Sequence, residues 1–139
     1  MKPRPWTAVM ILSVVVAVGC SGDGPQGPRA GELSVWLQSP SNGDRAIMFD
    51  LTGPAQAISA SPQALSAMVD TIAADSVRIA IFAPRGASIA PGEVARIRVE
   101  NVCAVTRYHA GIVEVAGSDY SLKPPSGYGL SVRAADPGC

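Results

Sequence analysis

From Glu32 onward the apolar residues recur at every second position, the spacing that puts alternate side chains on one face of a pleated strand. Leu33, Val35 and Leu37 alternate with Ser34, Trp36 and Gln38, and Ile47, Phe49 and Leu51 alternate with Met48, Asp50 and Thr52. Between them Ser39-Pro40-Ser41-Asn42-Gly43-Asp44 reads as a turn, because Asn-Gly tolerates positive φ and proline cannot donate to a ladder; a hairpin is the simplest expectation. Val77, Ile79 and Ile81 form a third alternating run, stopped by Pro84-Arg85-Gly86, and Ala95, Ile97 and Val99 alternate with Arg96, Arg98 and Glu100 in a fourth. In a fifth, Tyr108, Ala110 and Ile112 are expected on one face and His109, Val113 and Val115 on the other. Leu130 and Val132, after Gly127-Tyr128-Gly129, supply the sixth.

The segment from Ser61 to Ala74 admits two readings. Ser61 suits a helix cap, Pro62 a first helical turn, and Leu65, Met68, Val69 and Ile72 fit helical spacing. A strand with Leu65, Ala67 and Val69 inward, turning through Ala73-Ala74-Asp75 into the run beginning at Ser76, fits the surrounding pattern better. Short strands with turn residues every ten or so positions, and no long helix alternating with them, predict an all-β fold. Its expected form is an antiparallel β-sandwich, immunoglobulin-like in the general sense of two packed sheets.

The N-terminus follows a different pattern. Lys2 and Arg4 precede an apolar run from Trp6 to Val18 that ends at Gly19-Cys20, the layout of a signal peptide. The run spans roughly 20 Å as a helix, short of the roughly 30 Å hydrocarbon core, so a permanent membrane-spanning helix is disfavoured. Ala17-Val18-Gly19-Cys20 resembles the lipobox of bacterial lipoproteins. That resemblance implies cleavage before Cys20, a diacylglycerol on its thiol and a palmitate-type acyl group on the new N-terminus; ordinary secretion with Cys20 as a plain thiol is the alternative. Ser21 in place of an aspartate leans toward the outer membrane where the host has one. The expected location is thus the cell envelope, lipid-anchored and facing the periplasm or the exterior. Residues 20–31, with Gly and Pro dominating and no large apolar side chain, read as a flexible linker, leaving residues 1–19 as signal peptide and 32–139 as the folded domain.

The block Asp75 to Ala83, followed by Ile89 to Val99, resembles the middle of cohesin-like β-sandwich domains: an alternating strand, a proline-glycine loop, then another alternating strand. Tyr108 to Val115 and Gly127 to Val132 sit where such domains place their final strands. Cohesins and related carbohydrate-binding sandwiches are recognition modules, so the resemblance implies binding of a protein or a glycan and transfers no site residue.

Composition narrows the chemistry. The 139 residues carry 11 Lys+Arg and 11 Asp+Glu; removing the leader takes Lys2 and Arg4 and leaves a mildly acidic mature chain, with no polybasic patch for nucleic acid. The one histidine, His109, lies within an expected strand, and no Gly-x-Ser-x-Gly elbow, metal-ligand spacing or phosphate loop accompanies it, so neither an enzyme nor a cofactor is expected. Asp44 with Asp50, or Asp70 with Asp75, are weak candidates for a calcium loop; solvated turn carboxylates are the simpler reading. Cys103 and Cys139 suit one disulfide outside the cytoplasm, the alternative being two unpaired thiols. Trp36, facing away from Leu33, Val35 and Leu37, and Tyr120 and Tyr128, flanking a Pro-Pro loop, are the candidate binding aromatics; bracing of a sheet edge and a loop is their structural alternative. Arg78, Arg96 and Arg98 are expected on a solvated sheet face. The function expected is that of a membrane-anchored lipoprotein presenting a non-catalytic, cohesin-like module for protein interaction or assembly. A carbohydrate-binding module and a structural envelope protein without a specific ligand are the alternatives.

Overall fold

The computed structural model describes residues 27–62 and 64–135. Among them are nine strands: β1 (Gly31–Gln38), β2 (Ala46–Thr52), β3 (Ala57–Ala60), β4 (Ser66–Ala73), β5 (Ser76–Phe82), β6 (Gly92–Val99), β7 (His109–Ala116), β8 (Leu122–Lys123) and β9 (Gly129–Ala134), with a 3-10 helix at Val102–Arg107. They form a four-stranded sheet in the order β3-β6-β1-β9 and a five-stranded sheet in the order β4-β5-β2-β7-β8. Every strand pairing is antiparallel, as the alternating pattern predicts.

The inward residues of the two sheets meet in one core. Leu33, Val35, Leu37, Ala95, Ile97 and Val99 project from the four-stranded sheet, and Ile47, Phe49, Leu51, Ile79, Ile81 and Val115 from the five-stranded one, all buried. Full burial of an aromatic or branched side chain of this size stabilises by about 1.5–3 kcal/mol before entropy is counted. One end is closed by Tyr108, whose hydroxyl donates to the Pro54 carbonyl at 2.7 Å. Gly53, at φ +131°, makes room for it, since a Cβ there would stand 2.5 Å from Tyr108 Cδ1. Burial pushes the Tyr108 phenol above its ordinary pKa.

Several sequence expectations need correction. The turn 39–45 joins strands of different sheets: β1 pairs with β6 and β9, β2 with β5 and β7, so the connection crosses the core instead of closing a hairpin. Both strands are alternating and both contribute to the core, and period-two spacing alone does not say which sheet a strand joins. The segment after Ser61 is the expected strand, β4, hairpinned to β5. Its expected inward residue Val69 is nevertheless 46% exposed, because facing β3 is only four residues long and leaves β4 overhanging. In β7 the expected faces shift midway. Phe49 pairs with Ile112 while Met48 pairs with Glu114, so Val113 is an extra residue in a bulge and Val115 turns into the core on the side of Ile112.

Strands β3 and β8 and the 3-10 helix had no clear sequence signal. The helix is capped by Asn101, whose side chain accepts from the Cys103 amide at 3.1 Å. Contacts with the domain begin before Glu32: the Val102 amide donates to the Arg29 carbonyl at 2.8 Å, and Gly31 begins β1 where a Cβ would press to 2.9 Å on Val102. Among the described residues no helix is long and apolar enough to cross a membrane.

Candidate functional site

One end of the sandwich is organised by a buried carboxylate. Asp44 is fully buried; its Oδ1 accepts from Lys123 Nζ at 2.8 Å and from the Tyr128 hydroxyl at 3.0 Å, and its Oδ2 from Ser39 Oγ at 2.8 Å. Lys123 also donates to Ser41 Oγ at 3.1 Å. Burial pushes the Asp44 carboxyl up, but the bonds from Lys123, Ser39 and Tyr128 outweigh it and hold the group below the ordinary carboxylate range. Lys123 is shifted upward, chiefly by its bond to Asp44. This cluster ties the β1–β2 crossing to the loops around β8. With every polar atom of the carboxylate engaged inside the protein, it is a latch.

The outer face of the four-stranded sheet carries charge. Glu93 accepts from Ser34 Oγ at 2.8 Å, from Arg96 Nε at 2.8 Å and from Ser61 Oγ. Burial raises the Glu93 carboxyl while the Ser61, Arg96 and Ser34 bonds lower it, with a net shift downward. Trp36 lies in the same shallow depression as Glu32, Ser34, Glu93, Arg96 and Arg133. Trp36 is 36% exposed, and the Arg133 guanidinium sits over its indole, 4.8 Å from the ring centroid. One ring face is therefore occupied by a cation–π contact from within the protein.

The outer face of the five-stranded sheet is built in rows across the strands. Phe82, Ala46, Ala116 and Leu122 are aligned in one row, and Met68, Ala80, Met48 and Glu114 in the next. A third row holds Asp70, Arg78 and Asp50. The alanines form the floor of an almost wholly apolar depression of about 170 Å³, walled by Met48, Phe82 and Leu122. Met68 and Leu122 are 67% and 69% exposed. Beside the apolar rows, Arg78 holds Asp50 through paired bonds of 2.7 and 2.9 Å, and these hold the Asp50 carboxyl below its ordinary pKa. The fields of Asp70 and Glu114 also reach Arg78. Three carboxylates around one guanidinium leave this band acidic.

The aromatics singled out from the sequence are dispersed. Trp36 shares its depression with neither tyrosine. Tyr128 turns its hydroxyl onto Asp44 as part of the latch. Tyr120 is 72% exposed at φ +61° in the turn 117–121, where Asp119 accepts from both the amide and the hydroxyl of Ser121. The three arginines divide between opposite outer faces, Arg78 on one and Arg96 with Arg98 on the other. Asp44 and Asp50 are likewise separated, one buried at the latch and one on a strand surface. His109 is exposed at the start of β7. Cys103 is half-buried in the 3-10 helix, while Cys139 and the lipidation candidate Cys20 lie outside the described residues. Among the described residues, no three His, Cys, Asp or Glu side chains converge as metal ligands.

The apolar rows escaped the sequence reading because Met48, Met68, Ala80 and Phe82 sit at the polar phase of their strands, where isolated apolar residues are ordinary. Their alignment depends on register. No family model matches the chain, no curated protein matches it, and no solved structure matches it.

Proposed function

We propose that this protein is a lipid-anchored envelope lipoprotein whose β-sandwich is a non-catalytic module for binding another protein, through the outer face of the five-stranded sheet. The observation that carries the reading is the aligned apolar surface of Met48, Met68, Phe82 and Leu122 around an alanine floor, bordered by Asp50, Asp70 and Glu114. Exposed apolar surface of this kind, rimmed by charge, gains most from being covered by a complementary partner. The partner's chemistry follows: an apolar side chain to enter the depression and basic groups to meet the acidic band. The cohesin-like resemblance of Asp75 to Val99 agrees with a recognition role, and the Ala17-Val18-Gly19-Cys20 motif supplies the anchor, with acyl chains on Cys20 holding the domain at the bilayer. A disulfide between Cys103 and Cys139 is proposed with it, pinning the C-terminus to the domain.

Glycan binding at Trp36 is the weaker alternative, since Arg133 already occupies one face of the indole. Two experiments test the proposal. Palmitate labelling should mark the wild type and fail for Cys20→Ala. Purification of the anchored protein from envelopes should recover a defined partner, lost in Met48→Glu and Leu122→Glu and kept in Trp36→Ala. Retention on polysaccharide that Trp36→Ala abolishes would support the glycan reading, and turnover that His109→Ala abolishes would overturn the non-catalytic one.

A further inference from the structure

The two sheets do not meet evenly at their margins. At one margin β9 packs against β7 across the core. At the other, β3 offers four residues against the eight of β4, and the sandwich stays open there. The opening is a seam of about 390 Å³ lined by Ala55, Ala57, Ile58, Val69, Thr71 and Val77 among others. Val69, an inward-phase residue, is half exposed in it, and Ile58 is only partly covered from the other side.

β4 is also the outermost strand of its sheet, so alternate backbone amides and carbonyls along it point away from β5 with no strand among the described residues to receive them. Such edges are commonly blunted by brevity, proline, lysine or cover. β8, at the opposite edge of the same sheet, is two residues long. Among the described residues β4 shows none of these devices over Ser66-Ala67-Met68-Val69-Asp70-Thr71; its one irregularity comes after Thr71. Its single charge is Asp70, which faces Arg78 across the strand pair. Arg78 is already engaged with Asp50, and Asp70 forms no ion pair of its own among the described residues.

We propose that β4 is an acceptor edge for an extended segment of a partner protein, which adds to the five-stranded sheet as a further strand. Its alternate apolar side chains enter the seam beside Val69 and Ile58, and a lysine or arginine lies on the outer face next to Asp70. The backbone edge supplies affinity and the seam and carboxylate supply selectivity, the division of labour of strand addition generally. The charge selects the occupant. A second copy presenting its own β4 would bring two Asp70 carboxylates into one strand pair with no cation between them. β4 also contributes Met68 to the apolar rows, but its free backbone edge and the seam beside Val69 lie outside them, so strand addition does not require that face to bind a partner.

The probe is a synthetic peptide of about nine residues, with valines alternating with threonines and one central lysine, together with a central-glutamate version and a scramble that destroys the alternation. Binding to the full chain is followed by fluorescence anisotropy and by amide hydrogen exchange. The lysine peptide should bind and slow exchange between Ser66 and Thr71, the glutamate peptide should bind about fivefold more weakly, and the scramble should not bind. Asp70→Lys should reverse the preference between the two charged peptides, a result that misfolding would not produce, and Val69→Lys should abolish binding of both. Absence of binding by the lysine peptide, a preference unchanged in Asp70→Lys, protection on strands other than β4, or dimerisation of the free protein through β4 would each overturn the proposal.

Discussion

The two outer faces of this sandwich solve the same surface problem in opposite ways. On the four-stranded sheet the polar groups find partners at home: Glu93 accepts from Ser34, Ser61 and Arg96, and Arg133 lies over Trp36. On the five-stranded sheet the apolar rows are left uncovered by the described residues, and the neighbouring band carries more carboxylates than cations. A face whose groups are satisfied internally contributes to holding the fold and has little left to give a ligand. A face with uncovered apolar surface contributes little to the fold and gains from a partner. The conspicuous residue of the sequence, Trp36, thus lies on the self-contained face, while the available surface is made of methionines and alanines that draw no attention singly.

That contrast makes graded predictions about stability. The largest effect belongs to the latch: Asp44→Ala strands Lys123, Tyr128 and Ser39, and denaturant unfolding should show a loss of about 3 kcal/mol. The pH dependence follows. Asp44 and Glu93 both have folded-state pKa values below their ordinary ones, so their stabilisation is fully present above about pH 4–5 and is lost as pH falls through the lowered folded values. Asp44→Asn should flatten this acid slope, which thermal melts across the range would read.

Next comes Glu93→Gln, which weakens the bonds from Ser34, Ser61 and Arg96 and should cost about 1–2 kcal/mol by the same unfolding measurement. Arg133→Ala should cost less than about 1 kcal/mol while changing the Trp36 fluorescence, because it removes the cation over an exposed ring. Smallest of all, Met68→Ser and Leu122→Ser should leave stability within about 0.5 kcal/mol of wild type. A loss at Leu122 as large as that at Asp44 would break the contrast between the faces.

The fold was legible where burial and period coincide. Leu33, Val35, Leu37, Ile47, Phe49, Leu51, Ile79, Ile81, Ile97 and Val99 all stand in the core that their alternation predicts. Legibility ended where a property depends on distant strands. The crossing at 39–45 looked like a hairpin because its residues make a turn whichever sheet receives the next strand. Val115 changed face because one extra residue, Val113, is accommodated opposite β2. The site was less visible still: Asp44 and Lys123 are 79 residues apart, and nothing local marks either as one half of a buried pair. The apolar outer rows, each crossing four strands, exist only after the five strands of the sheet have been set in register.

The most direct test places a photo-crosslinking amino acid at Met48, Leu122 or Trp36 in the anchored protein and activates it in intact cells. A discrete protein adduct is expected from Met48 and Leu122, on the five-stranded face, and none from Trp36. Adducts from Trp36 alone, or to polysaccharide in place of protein, would contradict protein binding through that face.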